Sequence, residues 1–275
     1  MTKRSQAGAG VAKARPSTAA LRALLKRTAP VSMRLRGKFH AFVHKRTKRP
    51  FEGLTKRLGR TVFSNANMPR ARLHAKASKI KGWEGKNGGR RRGTAVDKQL
   101  SAIVNMTSKR LRLTDAAWKR GKFDGVGIYR LTSIALAALK HHGLRPVCAQ
   151  RGVCNASQRC ATAADVVCLR EADRSLWLIE LKCGFDGIRT KEAKRGRNVV
   201  RMRGPLADKA DTHERRHMSQ LCCTHRMFTS EDATLAALRT QHGVTAVSGA
   251  LLYVTDQAAE LAPMTQWWRH AAARM

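Results

Sequence analysis

The chain has 275 residues, enough for one folded core with extensions or for two small domains. Its 55 Lys and Arg residues against 18 Asp and Glu residues give a formal charge of +37. Such a charge opposes compaction by self-repulsion, and a nucleic acid is the simplest partner that would require it. No apolar run approaches the roughly 20 residues of a membrane-spanning helix, so we expect no membrane partner. Seven irregularly placed cysteines do not suggest a disulfide framework.

The first third of the chain carries most of the charge. Residues 1–92 hold 26 Lys and Arg residues but 2 Asp and Glu residues, and they show little hydrophobic periodicity. They are predicted to form a basic, mostly disordered N-terminal arm, in which Thr18–Pro30 forms a short amphipathic helix ended by Pro30. Such an arm is typical of nuclear or nucleic-acid-tethering segments, which predicts a nuclear location. Its composition also resembles an organellar transit peptide, so a mitochondrial or cytoplasmic location is the alternative.

Residues 93–275 have the pattern of a folded domain. Apolar residues recur at helical spacing over residues 93–107 and predict a helix; they are Val96, Leu100, Ile103 and Val104. A second helix is predicted over residues 131–143, with Gly143 at its end. Three strands follow, at residues 144–150, 162–171 and 175–184. A polar turn between the last two predicts a hairpin.

The rest of the domain adds helices and one strand. A helical stretch is predicted from about Ala207 to Phe228, and Ser230 is expected to cap a helix over residues 231–242 that ends at Gly243. A last strand covers residues 246–256. The order α-β-β-β-α-(α)-β predicts an α/β domain with a central mixed sheet rather than a βαβ repeat.

The strand SLWLIELKCG, Ser175 to Gly184, begins apolar and ends in charged residues. Because side chains alternate along a strand, Glu180 and Lys182 lie on the same face, about 7 Å apart. One strand earlier, Asp165 interrupts the apolar segment AADVV, where an acid is costly to bury alone. The predicted hairpin would bring Asp165 and Glu180 to one edge.

Two converging carboxylates repel each other unless a cation lies between them. Asp165, Glu180, the carbonyl of Leu181 and waters would make an oxygen site of the kind that Mg²⁺ or Mn²⁺ prefers. Lys182 would then orient the attacking water or stabilise a phosphate oxygen. These residues predict a metal-dependent hydrolytic site for phosphodiesters.

Asp165 followed by Glu180-Leu181-Lys182, on adjacent strands between two helices, resembles the PD-(D/E)XK nuclease superfamily over about residues 93–256. The resemblance implies an αβββαβ restriction-endonuclease-like core and Mg²⁺- or Mn²⁺-dependent hydrolysis of DNA. It assigns Asp165 and Glu180 as metal ligands and Lys182 as the catalytic lysine. Ala164 stands where many members have Pro.

RecB-like members of that superfamily carry a catalytic Gln on the following helix, for which Gln220 is the candidate, and a His on the first helix. Asp97 lies in that first-helix region and could serve as an acidic metal ligand. RecB-like members also have a Tyr where this chain has Thr224. The segments IELK and GALLYV are similar to the herpesviral nuclear endonuclease-like family, which would imply a large DNA virus and the host nucleus.

Basic clusters outside this motif are predicted to bind nucleic acid, and DNA is the expected partner. They comprise Arg90, Arg91, Arg92, Lys194, Arg195, Arg197, Arg215 and Arg216. A catalytically inactive nucleic-acid-binding or packaging protein on a nuclease-like fold is the main alternative, and a ribosome-associated basic protein is a third. The acids favour the nuclease, because acids beside a phosphate groove repel DNA unless a metal is present.

Two other groups of residues admit a metal. Cys148, Cys154 and Cys160 recur every six residues, but zinc sites usually contain tighter pairs, so buried thiols are the expected alternative. The histidines of THERRHMSQLCCTHR are compatible with a metal-binding face or with a basic helix facing DNA.

Overall fold

The computed structural model describes residues 17–36, 39–64, 88–107, 111–121, 123, 127–185 and 189–275. The elements of its first half are α1 (Thr18–Thr28), β1 (Val31–Arg36), β2 (Phe39–His44), β3 (Pro50–Gly53), α2 (Leu54–Thr61), α3 (Gly88–Val104), α4 (Asp115–Arg120), α5 (Arg130–His141), β4 (Leu144–Asn155), β5 (Cys160–Arg170) and β6 (Ser175–Cys183). Those of its second half are β7 (Lys194–Arg195), β8 (Asn198–Val199), α6 (His213–Thr229), α7 (Asp232–His242), β9 (Val247–Val254), β10 (Ala259–Pro263) and α8 (Gln266–Arg274).

A mixed sheet forms the centre of the fold, as predicted. Strand β5 pairs antiparallel with β4 and β6, β6 pairs parallel with β9, and β9 pairs antiparallel with β10. Strand β3 pairs parallel with the beginning of β5 and links the sheet to β2 and β1. Strand β5 therefore pairs first with β3 and later with β6 along the same side.

Helices cover both faces of this sheet. On one face α1, α2 and α6 bury residues such as Leu25, Leu58 and Leu221 against Leu178 of β6. On the other face α3 and α5 bury residues such as Leu100 and Leu136 against the sheet. The four apolar residues predicted to share one face of the first helix are all buried there.

Several element boundaries differ from the prediction. Helix α6 begins at His213 rather than near Ala207, because Thr212 caps it by accepting a hydrogen bond from the backbone N–H of Arg215. Ser230 does not cap α7. It ends α6, its hydroxyl donating to the carbonyl of Met227 at 2.9 Å, and Glu231 is the N-cap residue of α7. Gly143 and Gly243 follow helix ends with positive φ, as predicted.

The described part of the first 92 residues is folded, which corrects the prediction of a largely disordered arm for residues 17–36, 39–64 and 88–92, the last of which begin α3. Leucines of α1 and α2 lie in the main core: Leu21, Leu24, Leu25, Leu54 and Leu58. The predicted helix Thr18–Pro30 is present as α1. Residues 1–16 and 65–87 lie outside the described residues, so the arm remains a prediction there. None of the described helices is long and apolar enough to cross a membrane.

Candidate active site

Asp165 lies where β5 and β6 stop pairing. The last residue pair of their ladder is Val166 with Ile179, and beyond it β6 pairs with β9 alone. The backbone N–H of Leu181 therefore has no backbone partner on β5, and it donates instead to the side-chain Oδ2 of Asp165 at 2.9 Å. This side-chain bond replaces a ladder hydrogen bond and explains why an acid is tolerated within an apolar strand.

Glu180 and Lys182 share a face of β6, as the alternation predicted, and they form an ion pair. Nζ of Lys182 lies 2.6 Å from Oε1 of Glu180, and the side chains are only 16% and 6% exposed. Leu176 and Leu178 precede them on the same face and are fully buried. The charged end of the strand is thus set into the protein rather than extended into solvent.

Gln150 connects Asp97, a further acid of the site, with Asp165. Its Nε2 donates to Oδ1 of Asp97 at 2.9 Å and has a longer contact of 3.5 Å with Oδ1 of Asp165. Gln150 has a φ of +55°. The β4–β5 ladder includes the neighbouring residues Ala149 and Arg151, but Gln150 is not one of its pairs. Gln150 was not predicted as a site residue, because it is the last residue of the strand predicted over residues 144–150, whereas the observed strand continues to Asn155.

The electrostatics of the site show an excess of negative charge. Burial, and after it the charges of Glu180 and Asp97, raise the pKa of Asp165 well above its ordinary value. Burial lowers the pKa of Lys182, but Glu180 and Asp165 outweigh that effect, so its pKa lies above its ordinary value. Lys182 is therefore a cation among three acids, and the site would be stabilised by a further positive charge or a proton.

The donor set suits a hard cation only in part. Within the described ranges, no three or more His, Cys, Asp or Glu side chains are arranged so that they could hold a metal ion. Asp165 and Glu180 nevertheless interact electrostatically, and Mg²⁺ commonly uses one or two carboxylates together with waters and substrate phosphates. The oxygen chemistry of this pair therefore fits Mg²⁺ or Mn²⁺, with Lys182 hydrogen-bonded to one oxygen of Glu180.

Helix α6 contributes His217 rather than Gln220 to this neighbourhood. The amide of Gln220 donates to Oγ1 of Thr55 at 2.7 Å, so this side chain contacts α2. Burial, followed by the positive charge of Lys182, holds the pKa of His217 well below its ordinary value. Nδ1 of His217 lies 3.1 Å from the hydroxyl of Tyr253, the residue that pairs with Lys182 across β6 and β9.

Two of the predicted basic DNA-binding residues have structural partners instead. Arg215 donates to the carbonyl of Ala210 at 2.8 Å. Arg216 forms an ion pair with buried Asp211 and lies over the ring of Phe63. These guanidinium groups are partly buried and have partners within the protein, and their role in nucleic-acid binding stays a prediction.

The other predicted basic residues lie nearer the surface. Arg90 and Arg91 are exposed in the first turns of α3, and Arg92 pairs with Asp256. Helix α3 passes close to the end of β6, since an added Cβ at Gly93 would lie 4.0 Å from Cβ of Cys183. Lys194, Arg195 and Arg197 are exposed on β7 and β8 and the turn between them.

The alternative metal residues have ordinary packing roles in the described chain. Cys148, Cys154 and Cys160 are buried free thiols, and burial raises the pKa of Cys154 to about 11. His213 and His217 pack against Phe185, while His225 contacts the carbonyl of Val247 at 3.1 Å. The thiols behave as small apolar residues, which is the alternative that their spacing favoured.

Comparison of the chain with protein-family models, with curated proteins and with solved structures finds no match.

Proposed function

We propose that this protein is a metal-dependent nuclease of the PD-(D/E)XK type that hydrolyses phosphodiester bonds of DNA. The observation that carries the proposal is the grouping of Asp165, Glu180 and Lys182 where β5 and β6 part. The element order α3–α5, β4, β5, β6, α6, β9 supports the resemblance to an αβββαβ core. Burial of Asp165 and Glu180 in apolar strands costs free energy. Because the end of a purely structural strand does not need buried acids, their presence suggests a functional site.

Each residue has a distinct task in this proposal. Asp165 and Glu180 would hold Mg²⁺ or Mn²⁺, with the carbonyl of Leu181 as a further oxygen ligand. Asp97, which is linked to the site through Gln150, would add negative charge that favours the cation. The bound cation would lower the pKa of a water and neutralise charge on the phosphate. Lys182 supplies a fixed positive charge for a phosphate oxygen or an attacking water, and Glu180 holds its ammonium group in position.

The charge of the whole chain supports a nucleic-acid substrate. A formal charge of +37 favours binding to a polyanion, and DNA is the substrate class of the nucleases that the motif resembles. A nuclear location, the host nucleus if the protein is viral, goes with that proposal.

A second candidate function is an inactive nucleic-acid-binding protein on the same fold. The direct 2.6 Å pair between Lys182 and Glu180 favours it, because this pair satisfies both charges without a metal.

The experiment that separates the two candidates is cleavage of plasmid DNA, single-stranded DNA and RNA by the purified protein. Mg²⁺ and Mn²⁺ are each supplied, beside EDTA, and Asp165→Asn is the matched variant. Divalent-dependent cleavage that Asp165→Asn abolishes would establish the nuclease. Binding without cleavage of any of these substrates would establish the binding protein.

A further inference from the structure

A small β-ribbon interrupts the chain between β6 and α6. We call residues 191–201 the basic ribbon; it contains β7 and β8, paired as Lys194 with Val199 and Arg195 with Asn198. Gly196, with a φ of +62°, occupies the first position of its two-residue turn, as glycine does in type II′ hairpins. The ribbon is therefore a defined hairpin rather than an irregular loop.

The base of the basic ribbon is fixed to the core. Ala193 is fully buried, its N–H donates to the carbonyl of Asp211, and its own carbonyl accepts from Val200. Asp211 is fully buried as well, and its carboxylate accepts from the N–H of Ser64 at 2.7 Å. A two-stranded hairpin is marginal alone, so this anchorage is what makes the ribbon rigid.

The tip of the basic ribbon is exposed and positively charged. The exposed basic residues of the whole ribbon are Lys191, Lys194, Arg195, Arg197 and Arg201, against the single acid Glu192. Among the described residues, no carboxylate forms an ion pair with the three basic residues of the tip, positions 194, 195 and 197. Val199 is 44% exposed beside them, one of the few large apolar residues at the described surface.

The chain runs from the candidate active site into the basic ribbon and then into α6. It leaves β6 at Gly184, two residues after Lys182, and after the ribbon it reaches Thr212, which caps α6. Phe185, next to Gly184, packs against His217 of α6, with ring centroids 4.6 Å apart. From the buried Ala193 the tip extends three residues, about 10 Å at the usual rise of a strand.

We propose that the basic ribbon enters the major groove of double-stranded DNA and holds a duplex against the active site. That groove, about 12 Å wide, admits a two-stranded β-ribbon, whereas the major groove of A-form RNA is too narrow. Lys194, Arg195 and Arg197 contact phosphates, and Val199 contacts base edges. The inference deepens the proposed function, on which its DNA substrate rests, by making B-form duplex the preferred substrate.

The test measures binding of the full chain in EDTA to a blunt DNA duplex, an RNA duplex and a single strand of the same sequence. The ribbon variant is Lys194→Ala/Arg195→Ala/Arg197→Ala. The matched control, Arg46→Ala/Arg49→Ala/Lys56→Ala, removes the same charge from exposed residues of the β2–β3 turn and α2. Thermal unfolding checks that both variants fold, as expected for exposed positions.

We expect the wild type and the control to prefer duplex DNA over duplex RNA, and the ribbon variant to lose this preference. Each lost phosphate contact should also reduce the salt dependence of DNA binding by about 0.9 in log–log slope, or about 2.7 for three contacts. Equal losses in both variants, or an unchanged DNA preference in the ribbon variant, would overturn the proposal. Duplex binding without cleavage would instead refute the nuclease and leave the ribbon proposal standing.

Discussion

The backbone N–H of Leu181 donates to the carboxylate of Asp165 across the gap that opens where β5 and β6 part. The bond holds Asp165 next to Glu180, although burial, and after it the charge of Glu180, raises the pKa of Asp165. The fold therefore keeps two acids together at a cost to stability, which is common at functional sites and unnecessary at a structural strand end.

Substitution of Lys182 and Glu180 tests the catalytic roles. Lys182→Ala should lower the cleavage rate by about 10²–10³, by analogy with the loss of one transition-state donor. Glu180→Gln, which removes a charged metal ligand, should lower divalent-dependent cleavage at least as far. Both variants should retain DNA binding, because most of the 55 Lys and Arg residues of the chain lie outside this site. Wild-type cleavage by Glu180→Gln would refute the site.

The same pair should differ in metal-free binding. Glu180→Gln removes a carboxylate that repels phosphate, so in EDTA it should bind DNA at least as tightly as the wild type. Lys182→Ala leaves that carboxylate and removes its cation, so it should bind more weakly. The measurement is equilibrium binding to one duplex in EDTA, and a reversed order would contradict the charge balance derived for the site.

Asp165→Asn should stabilise the metal-free protein while abolishing cleavage. The pKa of Asp165 is raised in the folded state, so its contribution to stability is present at low pH and is lost as the pH rises through the folded-state pKa. Neutral asparagine does not incur that loss. Urea unfolding in EDTA across a pH series should show that the advantage of the variant grows towards neutral pH.

Asp173→Asn is the control of opposite sign. The side-chain hydrogen bond from Arg170, followed by that from Ser175, holds the pKa of Asp173 below its ordinary value. Its stabilisation is therefore present above the ordinary aspartate pKa and is lost in acid. This variant should be less stable than the wild type at neutral pH and should approach it as the pH falls. Equal pH profiles for the two variants would contradict the assignment for Asp165.

Two glycines test the packing of the N-terminal elements. An added Cβ at Gly152 of β4 would lie 2.7 Å from the carbonyl oxygen of Val31 on β1, so Gly152→Ala should destabilise the fold by about 1–3 kcal/mol. At Gly59 of α2 nothing lies within 4 Å, so Gly59→Ala should stabilise it by about 0.5–1 kcal/mol. Denaturant unfolding of both variants measures the difference, and a neutral Gly152→Ala would mean that β1 does not pack on β4.

Truncation should separate charge from fold within the first 92 residues. Removal of residues 1–16 takes away Lys3, Arg4, Lys13 and Arg15 and should weaken DNA binding and its salt dependence without unfolding the protein. Removal of residues 1–64 takes away the five buried leucines of α1 and α2. At about 1.5–3 kcal/mol each, their loss is comparable to the whole stability of a domain. Circular dichroism should therefore show an unfolded chain for the longer truncation only.

Helices and strands with a local residue pattern could be predicted from the sequence alone. Helical spacing identified α3 and α5, and a polar turn between apolar runs identified the β5–β6 hairpin. Strand alternation placed Glu180 and Lys182 on one face, and the structure confirms it. These inferences succeeded because side-chain direction in a helix or strand follows from residue spacing alone.

Contacts between residues that are distant along the chain depend on the tertiary fold. The first 92 residues have the composition of a solvated arm. The leucines of α1 and α2 are nevertheless buried in a core that also contains residues of β4, β5 and β6, about 100 residues later in the chain. Charge composition averages over a segment and does not register five well-placed apolar side chains. Gln150 joined the site because the β4–β5 register, with Ala149 opposite Val166 and Arg151 opposite Ala164, brings Gln150 opposite Asp165, and no local pattern specifies that register.

The candidate site likewise contains one pair of residues that the sequence could predict and one choice that it could not. Asp165 and Glu180 were predicted to meet because a hairpin with a short turn joins their strands. Whether Gln220 or His217 lies nearest to Lys182 depends on the rotation of α6 about its axis, and that is set by packing against α2 and β9. Residues three positions apart differ by about 60° around a helix, so the sequence could identify the helix, whereas tertiary packing alone selected the residue.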